Sequence, residues 1–280
     1  MNALLTLRPI VVVQLCLLVS TLACSAPQTL PPKGPQTAAA VLAKALAVPL
    51  VSTLQGMSRL DSYVDGQARK ADVLLRVERP GKAQFQALTP TLDMLAVLTT
   101  DGSTFSSFER GASRCYAGEA CPANIARIVP IALPPSEMVA AVLGRPPLIA
   151  SDKRKLEWDG ERGAYRVTLG PTLDGHRQQL WIRPGDFRFL ASIVYRDGKR
   201  VASIAYSGHD KIKQGGPPQL MRMKVASHKT DMSLQLRDVE VDEVIEADAF
   251  SVECPAGTVR VHLPCAATSV LAPPPPRSAP

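Results

Sequence analysis

Six cysteines and four histidines are the side chains of this 280-residue chain best equipped for chemistry. Cys16 and Cys24 fall near its start; Cys115, Cys121, Cys254 and Cys265 fall in its body. A thiolate can ligate a metal, attack an electrophile or pair by oxidation. Neither Cys115 with Cys121 nor Cys254 with Cys265 has the spacing of about two to four residues that marks a zinc knuckle, so disulfides are expected and a metal is not. Four cysteines can pair in three ways. The local pairing, Cys115 with Cys121 and Cys254 with Cys265, is the simplest, because each pair brackets a proline-containing turn. Short loops of that kind stabilise a fold by about 2 to 3 kcal/mol each on the chain-entropy model. The histidines, His176, His209, His228 and His262, lie beside turns or on strands at no ligand spacing. No G-x-S-x-G, H-E-x-x-H, C-x-x-C or P-loop accompanies them, and neither an enzyme nor a cofactor is expected.

The charged side chains give no better catalytic constellation. Asp238, Glu240, Asp242, Glu243, Glu246 and Asp248 interleave with Val239, Val241, Val244 and Ile245, the pattern of a solvated strand face and its following turn. Lys153-Arg154-Lys155 reads as a solvated loop able to approach anionic headgroups. The formal net charge of +7 favours anionic surfaces in general. Aromatics are 5% of the chain, too few for a base-stacking nucleic-acid platform. With 46% hydrophobic and 20% charged residues, the chain can build one sizeable domain or at most two small ones.

The elements available to position these groups are mostly strands. Thr37 to Ser58 is Ala/Leu-rich with helical spacing, and Pro49 should kink or split it. Period-two alternation follows: Val73, Leu75 and Val77; then, past the Arg79-Pro80-Gly81 turn, Ala83, Phe85 and Ala87. Met94 to Thr100 and Thr104 to Glu109 flank the Asp101-Gly102 turn, and further turns lie at Asp159-Gly160, Asp174-Gly175 and Asp197-Gly198. Met221, Met223 and Val225 alternate, as do Met232, Leu234 and Leu236; at Asp238 the phase slips, which predicts a bulge or bend. Ser136 is the expected cap of a helix over Met138 to Leu143 that ends at Gly144, and Ala123 to Val129 forms a shorter one. These features predict a mainly β fold: a many-stranded, curved antiparallel sheet with a few short helices to cover one face.

The chain begins with an address. The uncharged run Ile10 to Ala23 is too short to span a bilayer and reads as a secretory signal over residues 1–23. It ends at Thr21-Leu22-Ala23-Cys24, which resembles the lipobox of bacterial lipoproteins, although Thr21 stands where leucine is usual. That resemblance implies lipidation of Cys24, palmitate among the acyl groups, and, with Ser25 following, an outer-membrane location; plain secretion is the alternative. Residues 24–36 would be the lipidated cysteine and a proline-rich tether, 37–266 the folded domain, and 267–280 a disordered proline-rich tail.

The order of the kinked N-terminal helix, "RPGKAQFQALTP" from Arg79, "LTTDGSTF" from Leu98, "PPSEMVAAVLG" from Pro134, "IVYRDGKRVASIAYSGHDKI" from Ile193 and "EADAFSVECPAGTVRV" from Glu246 resembles the LolA/LolB superfamily of periplasmic lipoprotein-sorting proteins. The resemblance implies an incomplete, strongly bent antiparallel β-barrel with helices against its concave side. It further implies an apolar cavity that receives acyl chains of a lipid or lipoprotein client. A membrane-anchored member would resemble LolB more than LolA, and we expect a monomer. Candidate lining residues are Val73, Leu75, Val77, Phe85, Met221, Met223, Val225, Met232, Leu234 and Leu236, with methionine suited to a pliable wall. Leu92, in the loop Thr89 to Asp93, is the candidate membrane contact. Each inward apolar position also has the plainer reading of ordinary core. A protein-binding scaffold of the same fold is the alternative function.

Overall fold

In a computed structural model, the described residues are 30–31, 33–64, 66–126, 132–226 and 229–265. The signal segment 1–23, Cys16 and Cys24, tether residues 25–29, the tail 267–280 and His228 lie outside them.

Fourteen strands form one sheet: β1 (Thr53–Val64), β2 (Gln67–Glu78), β3 (Lys82–Leu88), β4 (Met94–Thr100), β5 (Thr104–Glu109), β6 (Arg114–Glu119), β7 (Arg154–Asp159), β8 (Ala164–Leu169), β9 (His176–Ile182), β10 (Phe189–Arg196), β11 (Lys199–Ser207), β12 (Leu220–Val225), β13 (Thr230–Val241) and β14 (Val259–Leu263). Their spatial order is β14-β6-β5-β4-β3-β2-β1-β13-β12-β11-β10-β9-β8-β7. Neighbours pair antiparallel except β14, which runs parallel to β6. The ends of the order do not pair, so the sheet is unclosed.

Curvature follows from the core. Phe105 on β5 and Tyr165 on β8 belong to one buried cluster, yet ten strand spacings separate them in the order, roughly 50 Å in a flat sheet. One continuous core runs along this face of the sheet, which curves around it without closing. Inside the curl lie α1 (Ala38–Ala47) and α3 (Pro135–Val142), whose Val41, Leu42, Ala45, Met138, Val139 and Val142 join the same cluster. The incomplete barrel implied by the family resemblance is therefore the observed architecture. A bend at its centre is visible in the β1–β13 register: Gly56 faces Val239 but Ser58 faces Leu236, so Met57 opposes both Arg237 and Asp238. This is the bulge expected at Asp238.

Several expectations are corrected. The N-terminal helix stops at Ala47, before Pro49, and Thr53 to Ser58 belongs to β1. Pairing on both sides, with β2 and β13, overrides local helical spacing there. The α3 helix is capped by Pro134, with Pro135 at its first position, rather than by Ser136. In the short helix α2 (Pro122–Ile125), the described turn ends at Ala126, and residues 127–129 lie outside the described set.

The disulfides are also not local: Cys115 pairs with Cys254, and Cys121 with Cys265. Cys115 sits near the start of β6 and Cys121 just past its end, which puts them about 20 Å apart along extended chain. That is far beyond the reach of a disulfide, about 7 Å between Cα atoms. Cys254 and Cys265 flank β14 in the same way. The two bridges therefore pin the C-terminal segment to β6 at both ends. Between β13 and β14 this segment crosses the outer face, where Val252 and Cys254 pack on Val97, Phe108 and Cys115.

Candidate functional site

The concave face is built by alternation. On β2, Leu75 and Val77 point inward, and on β12 and β13 so do Met221, Met223, Met232, Leu234 and Leu236; all are buried in the cluster that includes the helices. Cross-strand pairs order them: Met221 faces Leu234 and Met223 faces Met232. Phe85, opposite Leu75, and Val225 are half-buried against the cluster. Val73 is buried and shares the inward phase of β2. All ten candidate lining positions thus lie in or next to the inward layer, nine of them in or against the buried cluster that also holds residues of the two short helices.

One group there was not singled out from the sequence. Tyr206 of β11 is 5% exposed and pairs with Met221, and its hydroxyl has no hydrogen-bond partner among the described residues. Burial pushes its pKa well above the ordinary tyrosine range. An unmade hydrogen bond at such a site costs about 1 to 3 kcal/mol. The signal in the sequence was weak, a tyrosine at an inward position of an alternating strand.

The covering is fastened at one point by Arg145, whose guanidinium donates to the carbonyls of Leu46 and Val48 at 2.9 and 2.8 Å. These are carbonyls that the end of α1 leaves without helical partners. Beside this latch lies a cleft of about 20 Å³ lined by Ala45, Leu143, Arg145, Arg188, Phe189 and His209 among others, room for about one water. None of the ten candidate residues lines it.

Leu92 is 66% exposed at φ +65°. Its loop is self-supporting: the Leu92 amide donates to the Thr89 carbonyl and the Asp93 amide to Thr89 Oγ1. That geometry turns the side chain out to solvent, with exposed Leu95 nearby in sequence.

Among the described residues, no group of three or more His, Cys, Asp or Glu side chains could hold a metal. The nearest approach to acid–base geometry is His176, whose Nδ1 is 2.7 Å from Asp174 Oδ2. Hydrogen bonds from Thr172 and His176 hold the Asp174 carboxyl below the usual carboxylate range. His176 Nε2 is buried without a partner among the described residues, so none of their hydroxyl or thiol groups is hydrogen-bonded to it. The acidic residues from Asp238 to Asp248 are all exposed.

No protein-family model and no curated protein matches the chain. Solved structures do. A DUF1329 family protein from Desulfovibrio piger superposes with a TM-score of 0.54 at 11% identity, over 76% of this chain and 95% of that one. A LolA superfamily protein from Nitrosomonas europaea gives 0.47 at 13% identity, over 78% and 99%. An outer membrane lipoprotein-sorting protein domain from Vibrio parahaemolyticus gives 0.48 at 10%, over 76% and 95%. At such identity the likeness to the Desulfovibrio protein is one of fold.

Proposed function

We propose that this protein is an outer-membrane lipoprotein, anchored in the periplasm through acylated Cys24, whose half-barrel takes up the acyl chain of a lipid or lipoprotein client between the sheet and its covering helices. The observation that carries this reading is the inward layer itself: a methionine-rich apolar face that forms one buried cluster with residues of α1 and α3, with the hydroxyl of Tyr206 set into it without a partner among the described residues. A carrier needs apolar surface worth about 25 cal/mol per Å² to an incoming chain, and no catalytic group. Displacing a short helix exposes that surface without breaking the sheet. The Tyr206 hydroxyl would meet the ester or amide carbonyl of the cargo, the one polar group an acyl chain brings with it.

The test is native mass spectrometry of gently extracted protein, with titration by a fluorescent fatty acyl ester. Co-purified lipid or lipopeptide, saturable binding, and weaker ester binding by Tyr206→Phe support the reading. Protein that carries no lipid and refuses the ester overturns it. That second outcome would favour a protein-binding scaffold, which the full burial of Leu75, Met223 and Met232 in the core cluster also fits. For the anchor, Cys24→Ala releases the protein from membranes; unchanged membrane association would count against lipidation.

A further inference from the structure

In an antiparallel sheet successive connections alternate between its two ends, so this half-barrel has two rims that can be compared. One rim carries residues 61–70, 88–95, 109–114, 151–155, 170–177, 195–200 and 224–231. Among the described residues it holds thirteen Lys and Arg against seven Asp and Glu. The opposite rim, residues 78–82, 101–103, 119, 159–164, 183–188, 208–219 and 238–248, reverses the balance with seven against thirteen. The domain is therefore polarised along its strands. All thirteen cations of the basic rim are exposed. Arg110, Lys155 and Lys224 are paired with carboxylates; Lys153, Arg154, Lys199 and Arg200 are in no ion pair among the described residues.

The apolar residues are sorted in the same way. Tyr63, Leu92, Leu95, Leu173 and Val259, exposed by 47, 66, 44, 110 and 63%, all stand at the basic rim. Of the other large exposed hydrophobics among the described residues, Val244 stands at the acidic rim and Leu46 on α1. Single exposed hydrophobics are ordinary, but five of them gathered at one rim among unpaired cations are not. A protein partner would be met by a flat, contiguous patch. Separate tips suit a surface that is soft, apolar a few ångströms down and negative on top.

We propose that the basic rim docks on a bilayer bearing anionic phospholipid, with the lysines and arginines on headgroup phosphates and Leu92, Leu95 and Leu173 dipping below them. This polarity is a property of the domain and does not depend on any cargo in the half-barrel. It orients the strands across the membrane surface with the acidic rim outward, because a negative bilayer repels that end.

The test uses the mature chain from Ser25 onward, exported behind a cleavable leader so that no acyl anchor contributes; every strand and both disulfides lie within it. Co-sedimentation with phosphatidylethanolamine/phosphatidylglycerol vesicles should be strong at low salt, fall as salt is raised, and be weak on purely zwitterionic vesicles. Lys199→Gln with Arg200→Gln should weaken it by about five-fold per cation removed. Lys211→Gln with Lys213→Gln, the same charge change at the acidic rim, should not. Leu173→Ser should lower binding and leave its salt dependence intact. Equal binding to both vesicle types, or equal losses from the two rims, would overturn the proposal, whereas failure to bind acyl esters would leave it standing.

Discussion

Replacing Gly56 with alanine tests the bend at the centre of the sheet. Gly56 has φ +140°, and a Cβ there would lie 2.1 Å from the Asp238 carbonyl oxygen and 2.7 Å from Val239 Cα. Both are backbone atoms held in the β1–β13 ladder, so they cannot swing aside as a side chain would. The left-handed backbone costs a non-glycine residue about 1 to 3 kcal/mol, and forcing a methyl against fixed atoms adds about 1 to 3 kcal/mol. The expected loss is therefore about 2 to 6 kcal/mol, a large fraction of the 5 to 15 kcal/mol typical of a domain. Gly111→Ala is the control: it has φ +76°, but nothing lies within 4 Å of its Cβ. It should lose only the backbone part. Urea unfolding of both variants, followed by the fluorescence of Trp158 and Trp181, reads the difference as a shift in midpoint at constant slope. If Gly56→Ala loses no more than Gly111→Ala, the close approach at the bulge is not what bends the sheet.

Three further outcomes are expected. Hydrogen bonds from Arg222, outweighing partial burial, and then from Lys224, hold Asp231 down at about 2. A depressed folded pKa gives stability that is present above the unfolded value near 4 and lost as pH falls through about 2; after discounting for solvent screening it amounts to about 1 kcal/mol. Asp231→Asn should therefore flatten acid denaturation within that window, as read by circular dichroism. Cys121→Ser with Cys265→Ser, with Cys115–Cys254 still closed, opens a loop of about 17 residues running over 115–121 and 254–265, worth about 3 kcal/mol on the chain-entropy model; thermal unfolding that does not shift would count against that estimate. Arg145→Ala leaves the Leu46 and Val48 carbonyls without their donor, at a cost of about 1.5 to 3 kcal/mol, and should speed hydrogen exchange of the α1 amides ahead of those in β1.

What the sequence made legible was whatever repeats at period two. Val73, Leu75 and Val77, or Met221 and Met223, announce a sheet with one inward face, and the slip at Asp238 locates the bulge to the residue. What stayed hidden depends on partners distant in the chain. Thr53 to Ser58 carries a helix-compatible pattern and becomes a strand because β2 and β13 offer ladders on both sides. The half-cystine pairing is hidden for the same reason, since nearness in sequence is a poor guide when the intervening segment, here β6, is extended. Tyr206 shows the same limit at the candidate site: an inward tyrosine is ordinary, and its lack of a partner is visible only once the surrounding side chains are placed.

The parallel strand β14 has a further consequence. Without it, β6 would present its row of amide and carbonyl groups as a template for any passing strand, including the β6 of a second copy. The far margin needs no such cover, because β7 carries Arg154, Lys155 and Glu157 as its own deterrent. A nonsense mutation ahead of Val259, or a compartment unable to oxidise thiols, would remove the guard from β6 and leave that strand open to pairing between copies.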